Sequence, residues 1–273
     1  MMVTVIVATC LTFGFALAIF LIYRHQIQHY RKMSEDRNLG LSEEIVPQLY
    51  SYNDLQKATR SFSEELGGGA FARVYKGAIC SGTRIIAVKR LEKVMDEGER
   101  EFRRMMRATG RTHQRNLVRL IGFCDEGSSR LLIYEYMSNG SLADLLFKAE
   151  RQPCWNERLR IALDVARGIC YLQEDCEPHI IHCDIKPGNI LMNDSWTAKI
   201  SDFGLAKLLM PNQTGTFIGI RGTGGYVAPE WLKNTPISVK VDVFSYGMVL
   251  LEIICCRRNI KLEVPSDQMI LYE

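Results

Sequence analysis

The longest apolar run lies at the very start of the chain. Residues 1–23, MMVTVIVATCLTFGFALAIFLIY, contain no charged side chain. As a helix they extend about 34 Å at 1.5 Å per residue, enough for a hydrocarbon core of roughly 30 Å. They are apolar on every face, unlike an amphipathic core helix. Arg24, His25, His29, Arg31 and Lys32 follow. A basic flank on that side predicts a single membrane span with its C-terminal side in the cytoplasm. The alternative is a cleaved signal peptide, but those carry positive charge before the apolar stretch and have a core of roughly 7–15 residues. Residues 24–60 are polar and charged and are expected to form a juxtamembrane linker, with the basic cluster against anionic membrane lipid. Within it, Tyr50–Phe62 has the spacing of a short amphipathic helix capped by Asn53 or Asp54.

From Leu66 onward the pattern becomes dense. Arg73–Ala78, Thr83–Arg90, Leu117–Cys124 and Leu131–Tyr136 are expected strands. Glu97–Gly110 is charged, has few breakers and is expected to be helical. After Asn139-Gly140 the spacing turns helical, over Leu142–Lys148, Trp155–Glu174 and Val239–Cys256. The second of these places Leu159, Ala162, Leu163, Ala166 and Ile169 on one face. Strands with one helix, then mostly helices, predict an α+β fold in two lobes, 61–138 and 139–273, within one domain 61–273.

Composition narrows the classes. Of 273 residues, 47% are hydrophobic and 24% charged, which excludes a wholly disordered chain. A net charge of +3 is too small to draw nucleic acid by bulk charge, and no such partner is expected. Nine cysteines without a C-x-x-C pair fit reduced thiols better than a disulfide or zinc framework.

Six short segments carry candidate chemistry. In LGGGAFARVYKG, Leu66–Gly77, glycines between two strands let backbone approach phosphates closely. In IIAVK, Lys89 ends an apolar strand and must set its ammonium somewhere polar. In IIHCDIKPGNIL, Ile180–Leu191, two apolar triplets bracket a loop bearing Asp184, Lys186 and Asn189. A carboxylate, an ammonium and an amide gathered there suit a hydroxyl, a phosphate and a hard cation. In KISDFGLAK, Asp202 at a strand end suits Mg²⁺. GTGGYVAPEW and DVFSYGMVLLEI follow, the latter with Asp242 opening an apolar helix as a candidate N-cap.

In this order and spacing the motifs resemble those of the eukaryotic protein kinases, from about Leu66 to the C-terminus. LYSYNDLQKATRSFSEELGGGAF, LVRLIGFCDEGSSRLLIYEYMSNGSL and YVAPEW look like plant receptor-like serine/threonine kinases, most similar to the lectin S-receptor-like type. The resemblance implies a bilobal fold, ATP and Mg²⁺ as cofactors, and transfer of the γ-phosphate to Ser/Thr hydroxyls of a protein substrate. It also implies receptor-like signalling from a single-pass protein of the plasma membrane, with other receptor kinases as partners. By the same resemblance, Gly67 and Gly69 cover the phosphates, and Leu66, Val74, Ala87 and Leu191 sandwich the adenine. Lys89 reaches the α- and β-phosphates. Tyr134 is the gatekeeper, and the backbone of Glu135 to Met137 binds the adenine edge. Asp184 orients the substrate hydroxyl and accepts its proton, Lys186 steadies the γ-phosphate, and Asn189 with Asp202 holds Mg²⁺. Thr214 and Thr216 are candidate phosphosites, and Thr223 is expected to contact the catalytic loop.

Several positions depart from the family pattern. Ala72 replaces the third glycine, and Cys183 replaces the Arg that normally pairs with an activation-loop phosphate. Met105 stands where the resemblance puts a Glu partner for Lys89, so the ammonium is expected to lose its proton or turn toward water, or to use Glu101 one turn earlier. Thr109 replaces an apolar residue. A kinase domain ordinarily continues for several helices beyond the one starting near Asp242, so the face with Val249, Leu250, Ile253 and Ile254 is expected to lack cover. These departures keep a second function open, a pseudokinase or signalling scaffold that retains the fold without phosphoryl transfer.

Overall fold

The computed structural model describes residues 47–69, 72–80, 82–92, 102–103, 105–106, 108, 114–209, 213, 215–216, 222–232 and 235–260. The expected membrane span, most of the linker, Glu101, Thr109 and Thr214 lie outside the described residues. Among the described residues no helix is long and apolar enough to cross a membrane.

The first lobe is one six-stranded sheet. Its strands are β1 (Gln48–Leu49), β2 (Glu65–Gly68), β3 (Ala72–Ile79), β4 (Arg84–Leu91), β5 (Leu120–Glu126) and β6 (Ser129–Glu135), in the order β1-β5-β6-β4-β3-β2. All neighbours are antiparallel except β1 and β5. Side chains alternate between the faces of a strand, and β4 shows what that does. Ile86 and Val88, both fully buried, join Leu131 and Ile133 on the outer face. Ala87 and Lys89 point the other way and line the cleft.

The outer face is covered by a segment expected to be linker. Helix α1 (Tyr52–Ala58) drops the fully buried Leu55 into the cluster of Ile86, Val88, Ile121 and Leu131. Its N-cap is Ser51, whose hydroxyl accepts the Asp54 N–H, and not Asn53 or Asp54. Just before it, Gln48 and Leu49 pair with Gly122 and Phe123. A Cβ on Gly122 would stand 2.4 Å from the Gln48 carbonyl and 2.5 Å from the Tyr50 ring, so only glycine admits this strand. Five described residues of the 97–110 stretch, Phe102, Arg103, Met105, Met106 and Ala108, are helical. Phe102, Met105 and Ala108 are buried in the main core.

The second lobe holds α2 (Leu142–Phe147), α3 (Trp155–Cys170), the hairpin of β8 (Ile190–Met192) and β9 (Ala198–Ile200), and the pair of β7 (His179–Ile181) with β10 (Lys207–Leu209). Short α4 (Pro229–Leu232) and α5 (Lys240–Cys255) complete it. The ends of α2 and α3 match expectation, α3 continuing as a π-turn over Tyr171–Asp175. The buried face of α3 matches in part, at Ala162 and Ile169. It comprises Ile161, Ala162, Asp164, Val165, Gly168 and Ile169, whereas Leu159 and Leu163 are about half exposed. The reason is the close approach to β9: a Cβ on Gly168 would meet Ile200 at 2.8 Å, and Asp164 accepts the Ala198 N–H. Small and polar residues set the rotation of this helix, and the leucines turn outward. On α5, Val249 and Ile253 are buried in the core, contrary to the expected uncovered face, while Ile254 is exposed.

Candidate active site

The site is built from loop residues held by strands on both sides. The loop after β7 runs from His182 to Asn189, and four hydrogen bonds shape it. The Asp242 carboxylate accepts the N–H groups of His182 (2.7 Å) and Cys183 (2.9 Å). Asp242 is the third residue of α5 and does not cap that helix. It holds the loop instead, and lets Cys183 adopt a left-handed backbone with φ of 69°. The Asp184 N–H donates to His182 Nδ1, so the proton of this ring sits on Nε2 and donates to the Ser201 carbonyl at 2.9 Å. Cys183 lies in an apolar cluster with Ile181, Leu209, Ala228, Trp231 and Ile237.

Asp242 is fully buried, and burial pushes its carboxyl above the ordinary 3.8, against the pull of His182 and the two N–H donors. A carboxyl that binds its proton more tightly when folded stabilises the fold most below its ordinary value. That contribution declines as pH rises through the raised value and is constant above it. Urea unfolding at stepped pH should therefore show the wild type losing stability relative to Asp242→Asn as pH rises above 3.8, and a constant difference between the two would contradict the raised value.

The polar groups of the loop converge. Thr223 donates its hydroxyl to Asp184 Oδ1 at 2.8 Å. Asn189 Nδ2 donates to Asp184 Oδ2 at 2.8 Å and to its carbonyl at 2.9 Å. Lys186 Nζ lies 2.9 Å from Asp184 Oδ2 and donates to Thr223 at 2.7 Å. Because Asn189 spends its nitrogen on Asp184, its carbonyl oxygen is the atom suited to a cation.

Asp202 follows β9 in a left-handed conformation, φ 63°, and accepts the Gly204 N–H. Phe203 is buried edge-on against His182, with ring centroids 4.8 Å apart. Lys89 crosses from the sheet to Asp202 Oδ1 at 2.9 Å. Burial acts to raise the Asp202 carboxyl, but Lys89 and the Gly204 N–H outweigh it and hold it below 3.8. The expected stranded ammonium is thus corrected: Lys89 is buried and paired with Asp202. Met105, fully buried, takes the Tyr134 hydroxyl on its sulfur at 3.7 Å.

The fourteen residues assigned by resemblance to nucleotide, metal and acceptor hydroxyl line one cleft of about 940 Å³: Leu66, Gly67, Gly69, Val74, Ala87, Lys89, Tyr134, Glu135, Met137, Asp184, Lys186, Asn189, Leu191 and Asp202. A Cβ on Gly67 or Gly69 would meet no atom within 4 Å. Both positions are exposed and border open space. Sequence reasoning missed Asp144 and Ser141 on the rim. It also missed a tie across the hinge, where Glu135 Oε1 accepts Lys199 Nζ and the Arg119 N–H, each at 2.7 Å. Glu135 and Lys199 are 64 residues apart and no local signal joins them.

A family model described as the protein kinase domain matches residues 60–269. The chain belongs to the protein kinase family. It is 52% identical over 245 residues to the G-type lectin S-receptor-like serine/threonine-protein kinase LECRK1 of Oryza sativa subsp. japonica, covering 88% of this chain and 30% of that protein. It is 55% identical over 225 residues to LECRK3 of Oryza sativa subsp. indica, a kinase of the same description, covering 82% and 28%. Against the G-type lectin S-receptor-like kinase RLK1 of Arabidopsis thaliana the identity is 51% over 259 residues, covering 89% and 31%. The chain therefore spans about 30% of the length of these relatives. The bilobal α+β architecture is that of the family.

Proposed function

We propose that the chain transfers the γ-phosphoryl group of ATP to Ser or Thr hydroxyls of a protein substrate, as the catalytic part of a membrane-anchored receptor-like kinase. The carrying observation is the meeting of Lys89, Asp184, Lys186, Asn189 and Asp202 in one cleft. The similarity to kinases named for serine and threonine supports the choice of hydroxyl. The uncharged run 1–23 with its basic flank supports a single-pass anchor and a cytoplasmic kinase region.

Phosphoryl transfer asks the protein for positioning and charge, with little covalent chemistry. Leu66, Val74, Ala87 and Leu191 enclose the adenine, the backbone of Glu135 to Met137 meets its edge, and Tyr134 closes the back. Gly67 and Gly69 bring backbone over the phosphates, and Lys89 engages the first two of them. Asp184, steadied by Thr223 and Asn189, orients the acceptor hydroxyl and takes its proton. Lys186 neutralises charge at the transferred group. Asn189 and Asp202 would hold Mg²⁺, which supplies neutralisation of the phosphate oxygens when bound.

The scaffold reading keeps one supporting observation, the apolar Met105 in the place of a carboxylate partner for Lys89. One experiment separates the two. The full chain in detergent is incubated with Mg²⁺ and labelled ATP, and stability is followed with unlabelled nucleotide. The kinase reading expects label on Ser or Thr. Nucleotide at 100 Kd raising stability by about 2.7 kcal/mol with no label would overturn it in favour of the scaffold.

A further inference from the structure

The segment carrying Thr223 is fastened to the end of α5 by groups that touch no reacting atom. Glu252, on the last turn of α5 and fully buried, accepts the Tyr226 hydroxyl on both oxygens, at 2.9 and 3.0 Å. The same carboxylate accepts the backbone N–H of Asn259 at 2.8 Å. The Asn259 side chain, itself buried, then donates to the Gly225 carbonyl at 2.7 Å. Ser245 adds a bond to the Tyr226 carbonyl at 2.7 Å. Two successive carbonyls and one phenol of residues 225–226 are thus held by the helix and the turn that follows it.

The fit is close. Gly225 has φ of 86°, and a Cβ there would stand 2.8 Å from the Asn259 amide. From this anchor the chain turns back once, with the Tyr226 N–H on the Thr223 carbonyl at 3.1 Å. That turn delivers the Thr223 hydroxyl to Asp184 and to Lys186. The connection from Asn259 to Asp184 is therefore an unbroken series of directed hydrogen bonds and one tight turn.

We propose that Asn259 is a positioning residue for phosphoryl transfer, its side-chain donor on Gly225 locking residues 222–226 so that Thr223 holds the Asp184 carboxylate and the Lys186 ammonium in register. The inference rests on the kinase reading above. Its geometric half, the lock on residues 222–226, stands apart from it and is measured separately.

The test uses the full chain in detergent and two variants. Asn259→Asp keeps the side-chain size but removes the donor to Gly225. Tyr226→Phe removes one hydroxyl and keeps the ring, so it retains packing if the first variant folds poorly. Amide hydrogen exchange is followed in peptides covering 222–228, and transfer is measured with Mg²⁺, ATP and dephosphorylated casein. Exchange in 222–228 should quicken about tenfold. The kcat should fall about tenfold, with KM for ATP unchanged within about twofold. Unchanged exchange in both variants overturns the lock. Faster exchange with unaltered kcat overturns the positioning role, as does a KM for ATP that rises in step with the loss of kcat. If the wild type transfers nothing, the kinase reading and the positioning role fall together, and the exchange result still decides the lock.

Discussion

Replacing Asp184 by Asn should lower phosphoryl transfer by about 10³-fold while the chain still binds nucleotide. The carboxylate is held on both oxygens, by Thr223 on one side and by Asn189 and Lys186 on the other. An amide has the same shape but cannot take the proton of an attacking hydroxyl. It also sets an NH₂ group toward one of these donors. The loss should fall on kcat, because the groups assigned to the nucleotide, Lys89, the hinge and the glycine strand, lie elsewhere in the cleft. Single-turnover transfer at saturating Mg²⁺ and ATP, beside a nucleotide-dependent shift in melting temperature, reads both halves. A rate within a few-fold of wild type would remove Asp184 from the role of proton acceptor. Loss of nucleotide binding would show that the substitution had disturbed the cleft as a whole.

Truncating Leu55 to Ala should destabilise the folded region by about 3 kcal/mol, within the roughly 2–5 kcal/mol seen for buried leucines. For a domain of this size that is roughly 10 °C in melting temperature. A free linker would leave Leu55 in solvent, whereas the structure encloses it fully. It packs among Ile86, Val88, Ile121 and Leu131 on the outer face of the sheet. Gly122→Ala tests the same docking from the other partner, since its methyl would displace Gln48 and Tyr50. A surface residue of a flexible linker would change stability by no more than about 0.5 kcal/mol. Thermal unfolding of the two variants beside the wild type decides the point.

The docking of residues 48–58 was hard to read for a physical reason. β1 is two residues long and pairs in parallel with a strand some 74 positions away, so neither its length nor its alternation marks it. Helix α1 has a single buried residue. The longer strands were legible because apolar residues, some of them β-branched, alternate or run together over seven or eight positions, and their ends fall within a few residues of expectation. The face of α3 was misread because leucine is the more hydrophobic residue, but the helix must approach β9 through Gly168. In the cleft, the side chains that came forward from the sequence are those in short motifs with fixed offsets. The bonds joining motifs were not legible: Lys89 to Asp202, Glu135 to Lys199, and Asp242 to the loop after β7. Each joins positions far apart in the chain, and only the fold makes them neighbours.

The seat of the Cys183 loop has a consequence for how such a molecule responds to its surroundings. Its neighbours Leu209, Ala228, Trp231 and Ile237 are apolar, so the force drawing them together is release of water and not attraction between charges. Ionic strength, which loosens exposed charge pairs over a Debye length of about 8 Å, leaves that part of the molecule largely untouched. The loop after β7 is therefore braced by oil and by one buried carboxylate, and a change in local salt acts on the rim of the cleft before it reaches the floor.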